Sequence, residues 1–251
     1  MELTISNELF IRNPSAPLLQ WARENLIFEN PEYINRRRRG LWTGSTDQYI
    51  TMYRTDGERL ILPCGTGKQI RKFVKGCHIQ TDLADNGILE YDGTIPLYDY
   101  QKQAVDAMKL YGCGILQSPC GSGKTQMGLA LAAELSRKTL WVTHTQELLN
   151  QSYDRAAQYF PKRILGRICG GKVEIGSHIP FATVQTLSKT DLPSYKYEWD
   201  VIIVDECHRL AGTPVSVTMF YRVMSSLAAR YKYGLSATVH RSDGLIRTTF
   251  A

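Results

Sequence analysis

The chain has 251 residues, 43% of them hydrophobic and 22% charged, and this composition excludes disorder over most of its length. It contains no run of about 18 apolar residues and no basic-then-apolar start, which excludes an obvious membrane span or secretory leader and favours a cytoplasmic location. The formal net charge is +6, and the segment 31–75, with ten basic and four acidic residues, has a net charge of the same size.

Cysteine and histidine usage gives no sign of a metal cage. The six cysteines form no C-x-x-C pair, and the five histidines are scattered along the chain. We therefore expect reduced, mostly buried thiols, and we expect any metal ion to arrive with a ligand.

The N-terminal part, residues 1–90, is predicted to be a small basic domain. The runs "QYITMY" and "RLILP" flank "RTDGE", a pattern typical of a β-hairpin with Asp56 and Gly57 at its turn. The polar stretch "DLADNGILEYDGTIP", residues 82–96, follows and suits a linker.

The basic segment interleaves its charges with Tyr33, Trp42, Tyr49 and Tyr53. We expect these aromatic residues to form the small domain's core, and stacking on exposed bases is the alternative. Four consecutive arginines repel one another unless a polyanion is present, which favours DNA phosphate as their partner, bound by structure and not by sequence; a solvated helix face is the alternative. The predicted phosphate contacts are Arg36, Arg37, Arg38, Arg39, Lys68, Arg71, Lys72 and Lys75.

From residue 91 to residue 251 the pattern changes to apolar strands alternating with amphipathic helices. Strands are predicted at "GILQS", "TLWVT", "PFATVQT", "DVIIVDE" and "YKYGLSAT", with helices at "GKTQMGLALAAELSRK" and "QELLNQSYDRAAQYF". Strands that are apolar throughout predict a mostly parallel sheet covered on both faces, whose ligand lies at the carboxyl ends of the strands.

The stretch "SPCGSGKTQ" is typical of a phosphate-binding loop between a buried strand and a helix. Gly121 and Gly123 allow backbone N–H groups to turn towards an anion, Lys124 can contact the β- and γ-phosphates, and the Thr125 hydroxyl can bind Mg²⁺. Ser118 occupies the position where this pattern usually has a first glycine, so an ordinary turn with a surface lysine is the alternative.

The stretch "DVIIVDECH" supplies the acidic half of a nucleotide site. We expect Asp205 to hold Mg²⁺ and Glu206 to orient and deprotonate an attacking water. A pair of acids capping a helix is the alternative.

A second stretch, "LPCGTGKQ" at 62–69, looks much like the phosphate loop but has Gln69 where the hydroxyl residue must stand. It opens only the short "QIRKFVKG" and has no Asp-Glu strand within its own small domain. We expect Gly65, Gly67 and Lys68 to form a turn whose lysine faces nucleic-acid phosphate, with a plain surface turn as the alternative.

Together these motifs resemble the superfamily 2 helicases and translocases. "SPCGSGKT" resembles their motif I, "DECH" (205–208) their motif II, and "SAT" (236–238) their motif III; "TQELLNQ" is similar to motif Ia and "LYDYQKQAV" to the adenine-recognition segment. The resemblance implies ATP and Mg²⁺ as ligands and a RecA-like P-loop NTPase domain, an α/β fold preceded here by a small α+β domain. It also implies nucleotide contacts by Gln101, Pro119, Cys120, Gly121, Ser122, Gly123, Lys124 and Thr125, coupling by Ser236, Ala237, Thr238, Arg241 and Asp243, and nucleic-acid contacts by Thr145 and Gln146.

"GLSATVHRSDGL" is similar to the signature of XPB-like translocases and UvsW-like phage helicases, and the N-terminal part is similar to the small domain that precedes the UvsW-like motor. The resemblance implies a bacterial or phage protein active in DNA repair or recombination. Tyr98 replaces a common Arg, and His144 and Gln146 replace a usual Pro and a frequent basic residue in motif Ia.

The chain stops at Ala251, before the family's second RecA-like domain with its arginine finger. We therefore expect either a truncated helicase or a split subunit that needs a second motor domain, with weak ATP binding and very slow turnover by itself. The alternative is a non-enzymatic adaptor or inhibitor that retains the motor fold.

Overall fold

The computed structural model describes residues 1–208 and 214–238. Its N-terminal elements are β1 (Glu2–Ile5), β2 (Leu9–Arg12), α1 (Ala16–Asn25), β3 (Ile27–Glu29), α2 (Pro31–Arg38), β4 (Tyr49–Thr51), β5 (Arg54–Asp56), β6 (Arg59–Leu62), α3 (Gly67–Ile70) and β7 (His78–Thr81). No helix among the described residues is long and apolar enough to cross a membrane.

The N-terminal strands form a five-stranded sheet in the order β5-β6-β2-β1-β7. All its pairs are antiparallel except β1 with β7, and a core that includes Ile11, Leu18, Leu60 and Ile70 fills one side of it. The alternation of apolar and polar residues in these short strands lets one face of the sheet pack against the helices.

The predicted hairpin is present, but its first strand and its turn are shifted. β5, from the "RTD" stretch itself, pairs with β6, so the turn lies at Gly57 and Glu58, with Gly57 at φ 56°. The "QYITMY" stretch instead supplies β4, which pairs with β3 in a separate two-stranded sheet. A glycine in the left-handed region fits a two-residue turn. The position of this turn sets the register in which β5 pairs with β6.

The C-terminal elements are α4 (Asp99–Tyr111), β8 (Cys113–Gln117), α5 (Lys124–Leu135), β9 (Thr139–Thr143), α6 (Gln146–Ala156), β10 (Leu165–Cys169), β11 (Lys172–Glu174), β12 (Ile179–Thr183), α7 (Val184–Leu187), β13 (Val201–Val204), α8 (Pro214–Ser226) and β14 (Tyr231–Ser236). Strands and helices alternate for most of this region, as the sequence pattern predicts. The "PFATVQT" stretch is a strand only as far as Thr183, after which α7 begins.

The C-terminal strands form one seven-stranded sheet in the order β11-β10-β12-β9-β13-β14-β8. Every pair is parallel except β10 with β11, which confirms the mostly parallel α/β fold. One core cluster lies on each face, and the central strands β9, β12 and β13 are buried along their whole length. Burial on both faces explains why these strands are apolar throughout.

The strand before the phosphate loop, β8, is not the buried strand that its sequence predicts. It lies at an end of the described sheet and pairs only with β14, and Cys113, Gly114 and Gln117 are exposed. An edge strand has a neighbour on one side only, so an apolar sequence does not guarantee burial there.

The stretch 82–98 contains no helix or strand, as a linker would, yet it is held along the C-terminal sheet. The Ala84 backbone N donates to Ala228 O at 2.8 Å, and the Asn86 backbone N donates to an Asp200 carboxylate oxygen at 2.9 Å. The Tyr91 hydroxyl donates to Arg137 O at 2.7 Å. This segment therefore joins the two sheets in a fixed path because side-chain and backbone polar groups are satisfied along it.

The N-terminal sheet also contacts the C-terminal one directly. Lys232 of β14 donates through Nζ to Asn7 O at 3.3 Å, and the Asn7 amide donates to Ser225 O. Asp82 accepts from Lys196 Nζ and from the Tyr197 hydroxyl, each at 2.9 Å. These polar contacts fasten the two sheet regions together.

Candidate functional site

The phosphate-loop candidate lies between β8 and α5. Gly121 and Gly123 both have φ 81°, in the left-handed region that only glycine occupies at little cost. A Cβ on Gly123 would also collide with the Gln101 amide. The backbone at these two positions therefore requires glycine, which ordinary strand-to-helix turns do not.

Lys124 is the first residue of α5 and is only 8% exposed. Its Nζ donates to the carbonyls of Ser118 and Pro119, each at 3.3 Å, and lies 3.9 Å from Glu206 Oε1. Thr125 follows at a half-buried position. The surface-lysine alternative is wrong, because the ammonium group points into the loop and towards the acidic pair.

Asp205 and Glu206 follow the carboxyl end of β13, at the sheet edge where the loop also emerges. Asp205 is 5% exposed, and burial raises its pKa to about 6. Its carboxylate accepts from the Ser152 hydroxyl at 3.1 Å and from the Glu206 backbone N at 3.0 Å. Glu206 has φ 48°, a strained value for a residue other than glycine, and such strain is concentrated at functional sites.

His208 connects this acidic pair to the end of β14. Its Nδ1 lies 2.8 Å from Ser236 Oγ and 3.2 Å from Glu206 Oε2. Ser236 Oγ donates to Thr238 O at 2.6 Å, and the Ser118 backbone N donates to Ser236 O at 3.0 Å. The structure thus brings Ser236, Ala237 and Thr238 next to both the loop and the acidic pair. Arg241 and Asp243 lie outside the described residues.

Gln101 is placed against the loop and not at an open surface. It is 2% exposed; its Oε1 accepts from the Tyr98 backbone N at 3.0 Å, and its Nε2 donates to Ser122 O at 2.9 Å. The Tyr100 hydroxyl donates to the same carbonyl at 3.0 Å. Gln101 therefore supports the loop in this arrangement and keeps one further acceptor site on Oε1 and one further N–H on Nε2.

The remaining loop residues have mixed environments. Pro119 and Cys120 are exposed, and the Ser122 hydroxyl accepts from Ser118 Oγ at 2.7 Å. The expectation of mostly buried thiols is wrong, because only Cys207 is buried while Cys113 and Cys120 are exposed on the edge strand and on the loop.

The residues at the site fit a nucleotide with Mg²⁺. Two positive-φ glycines and a buried lysine suit an anion, and a hydroxyl and a carboxylate are the oxygen donors that Mg²⁺ prefers. Mg²⁺ needs few protein ligands because water and phosphate complete its coordination. Within the described ranges, no group of three or more His, Cys, Asp or Glu residues could hold a metal ion by itself.

The residues predicted to contact nucleic acid lie on three elements. Thr145 caps α6 by accepting from the Leu148 backbone N at 3.3 Å, and Gln146 is exposed in the first turn, both after the carboxyl end of β9. On α2, Arg36 pairs with Glu32 at 2.7 Å, so it is partly structural. The other predicted basic contacts are exposed on α2 and around α3: Arg37, Arg38, Arg39, Lys68, Arg71, Lys72 and Lys75.

The expectation of an aromatic core in the basic segment is only partly correct. Tyr53 packs against the N-terminal core, whereas Trp42 is 73% and Tyr49 is 50% exposed. The small core is filled by aliphatic side chains, with Trp21, Phe28 and Phe73 packed against it, and Trp42 does not contribute to it.

Sequence patterns miss three contributors to the site. Ser152 on α6 donates to Asp205, Tyr100 donates to the loop, and Ser118 pairs with Ser122. No local motif marks Ser152, since it meets Asp205 only across 53 positions of the chain. Only Ser118 carries a sequence signal, because it stands where the phosphate-loop pattern usually has a glycine, and its hydroxyl could have been expected to bond within the loop.

A mostly parallel sheet with a lysine-bearing glycine loop and an acidic pair at one edge is the arrangement of a RecA-like P-loop NTPase domain, and with the stretch 236–238 beside it is typical of the superfamily 2 helicase class. The chain belongs to the family described as "Type III restriction enzyme, res subunit" (ResIII), whose model matches residues 94–241. XPB-like and UvsW-like proteins are among its relatives.

The chain is 30% identical over 158 residues to a DNA 3'-5' helicase XPB of Mycobacterium tuberculosis, a match that covers 59% of this chain and 27% of that protein. It therefore spans only part of the curated helicases that it matches. The fold matches the crystal structure of the UvsW helicase from Bacteriophage T4 with a TM-score of 0.70 and 23% identity, over 100% of this chain and 97% of that one. A SWI2/SNF2 ATPase core of Sulfolobus solfataricus in complex with dsDNA matches with a TM-score of 0.52 and 19% identity, over 65% and 37% of the two chains.

Proposed function

We propose that this chain is the N-terminal part of an ATP-dependent DNA helicase or translocase, with a DNA-binding domain at about residues 1–90 and the first RecA-like motor domain at about residues 91–251. The observation that carries the proposal is the 3.9 Å separation between Lys124 Nζ and Glu206 Oε1. It supports a single site in which a phosphate-binding cation faces a catalytic carboxylate.

ATP with Mg²⁺ is the proposed substrate complex. The loop at 119–125 would hold its phosphates, and Thr125 and Asp205 would hold the metal ion, which when bound neutralises charge on the phosphates. Glu206 would orient a water and accept its proton, and Lys124 would stabilise charge that develops on the transferred phosphoryl group.

The path from Glu206 through His208 to Ser236 is the proposed route of coupling. His208 contacts both residues, so a change around the acidic pair alters the support of the stretch 236–238. We propose that a second RecA-like domain supplies an arginine finger in the active assembly, a group worth roughly 10³–10⁵ in rate. The chain by itself would then bind ATP weakly and turn it over very slowly.

DNA is the proposed partner of the exposed basic residues on α2 and around α3. Such contacts neutralise phosphate without base specificity, so we expect recognition of DNA structure and a steep dependence of affinity on salt. Thr145 and Gln146 at the first turn of α6 are proposed as a second contact, since a helix N-terminus attracts phosphate.

The test is ATP turnover in the presence of DNA, measured for the wild-type chain and for Glu206→Gln, with and without a second motor domain of a relative supplied in trans. Turnover that requires the second domain and is lost in Glu206→Gln supports the proposal. Glu206→Gln keeps the size of the side chain, so unchanged DNA affinity serves as the control for folding.

If the wild-type chain binds DNA but no second motor domain gives ATP turnover, the chain acts as a non-enzymatic adaptor and the proposal is contradicted. Turnover near one per second by the purified chain alone would contradict the need for a second domain.

A further inference from the structure

Trp42 is a large apolar side chain exposed to solvent. It is 73% exposed and follows Leu41, which is 51% exposed, whereas Trp141 and Trp199 are almost fully buried. An exposed indole beside a second exposed apolar residue forms a small apolar patch on which a planar ring could stack.

The indole of Trp42 is held in place although it is exposed. The Leu41 backbone N donates to Arg36 O at 2.9 Å, and Arg36 Nη1 donates to Trp42 O at 3.4 Å. The ring lies against Gly44, where a Cβ would come within 2.5 Å of Cζ2 and 2.7 Å of Cε2. The ring is thus supported by backbone on one side and open elsewhere, so little conformational freedom is lost on stacking.

The charges around this ring favour a polyanion. Arg37, Arg38 and Arg39 directly precede the loop, and among residues 1–208 and 214–238 no carboxylate lies within 4.0 Å of their guanidinium groups. A cleft of about 400 Å³ opens beside two of them, large enough for a nucleobase, and its lining carries two guanidinium groups against one carboxylate: Glu29, Tyr33, Ile34, Arg37, Arg38 and Gln48.

We propose that α2 and the loop after it form a binding site for an unpaired nucleotide of DNA, with Trp42 stacked on the base and Arg37, Arg38 and Arg39 on the flanking phosphates. The inference rests on the proposed function, since it requires that the chain bind DNA. It adds that single-stranded or frayed DNA is the preferred form, because the faces of a paired base inside a duplex are covered by its neighbours.

The experiment compares the wild-type chain with Trp42→Ala and Trp42→Phe for binding to a fluorescent oligothymidine and to a blunt duplex of equal length, at several salt concentrations. Trp42→Ala is expected to weaken binding to the single strand about fivefold or more. Binding to the duplex should change less than about twofold, and the salt slope should stay the same. Trp42→Phe should keep most of the affinity for the single strand.

A triple change of Arg37, Arg38 and Arg39 to Gln is the matched control for charge. It should weaken binding to both DNA forms and flatten the salt slope. Quenching of tryptophan fluorescence by the single strand, seen in the wild type and lost in Trp42→Ala, would locate the contact at this ring.

Equal affinity of Trp42→Ala and wild type for the single strand would overturn the inference while leaving salt-dependent DNA binding, and the proposed function, intact. If the wild-type chain binds neither DNA form, both fail. If Trp42→Ala abolishes self-association and leaves DNA affinity unchanged, the surface binds a second copy of the chain, and the inference is wrong.

Discussion

Two loops share the order Cys-Gly-x-Gly-Lys, the first loop at 62–69 and the second loop at 118–126, yet their backbones differ. In the first, residues Cys64–Thr66 form a 3-10 turn and Gly67, with φ −53°, begins α3. In the second, Gly121 and Gly123 have φ 81°. A helical turn directs its N–H groups along the helix axis, whereas glycines in the left-handed region can curl them around an anion.

The surroundings of the two loops differ as much as their backbones. Cys64 of the first loop donates to Ser6 O at 3.3 Å and Asn7 O at 3.1 Å, and it lies 4.0 Å from Lys232 Nζ, in the contact between the two sheet regions. Burial raises the pKa of Cys64 and lowers the pKa of Lys232. The first loop is therefore part of a structural contact, while the second faces Asp205 and Glu206.

The largest difference between the two loops is expected when the lysine of each is replaced by alanine and ATP turnover is measured. Lys124→Ala should lower DNA-stimulated ATP turnover about 10²–10³-fold in the presence of a second motor domain, because a fixed cation at the phosphates is lost. Lys68→Ala removes one of several proposed DNA contacts, none of which faces the acidic pair, so it should leave turnover at saturating DNA within about twofold. Circular dichroism controls for folding, and an equal loss of activity in both variants would refute the assignment of the second loop.

Alanine at the second glycine of each loop tests the backbone difference. Gly123→Ala forces a side chain into the left-handed region beside Gln101 and should cost about 1–2 kcal/mol of unfolding free energy, with loss of nucleotide binding. Gly67→Ala has helical φ, with Leu9 Cδ1 at 3.8 Å as its nearest neighbour, and should be neutral or stabilise by about 0.5 kcal/mol. Urea unfolding of both variants measures this, and a destabilised Gly67→Ala would argue against the helical turn.

The unfolding free energy, measured as a function of pH, should report on the contact of Asp82 with Lys196, which lies near the first loop between the two sheet regions. Hydrogen bonds from Lys196, Ser6 and Tyr197 lower the pKa of Asp82 below its ordinary 3.8, so its stabilisation is present above that pH and is lost as the pH falls through the lowered value. Asp82 is partly exposed, so Asp82→Asn should cost only about 0.5 kcal/mol at pH 7 and progressively less as the pH falls below 3.8.

The same measurements on Asp106→Asn, which removes an exposed carboxylate of α4, are the control for the loss of one negative charge. The difference in unfolding free energy between wild type and Asp82→Asn should shrink on acidification. If it grew instead, the proposed stabilisation by the Asp82 carboxylate would be contradicted.

The smallest effect is expected from completing the motif in the first loop. Gln69→Thr turns "CGTGKQ" into "CGTGKT", but the backbone of residues 64–70 remains helical. Calorimetric titration with ATP should still give one site per chain. A second bound nucleotide would show that sequence order alone makes the site.

The second loop and the acidic pair were predictable because their chemistry requires local residue order. Glycines, lysine and a hydroxyl must be adjacent to surround a phosphate, and an apolar strand ending in two acids places them at the sheet edge. The contribution of Ser152 to Asp205, and the two bonds that hold Gln101, depend on which elements pack together and have no local signature.

The sequence by itself determined the mostly parallel sheet and the loop-plus-carboxylate site, since periodicity and adjacent chemistry are local properties. Only the tertiary structure decided that β8 is an edge strand, that Trp42 is exposed, and that the first loop packs between two sheets. The physical reason is that burial depends on which surfaces meet, and two nearly identical stretches meet different ones.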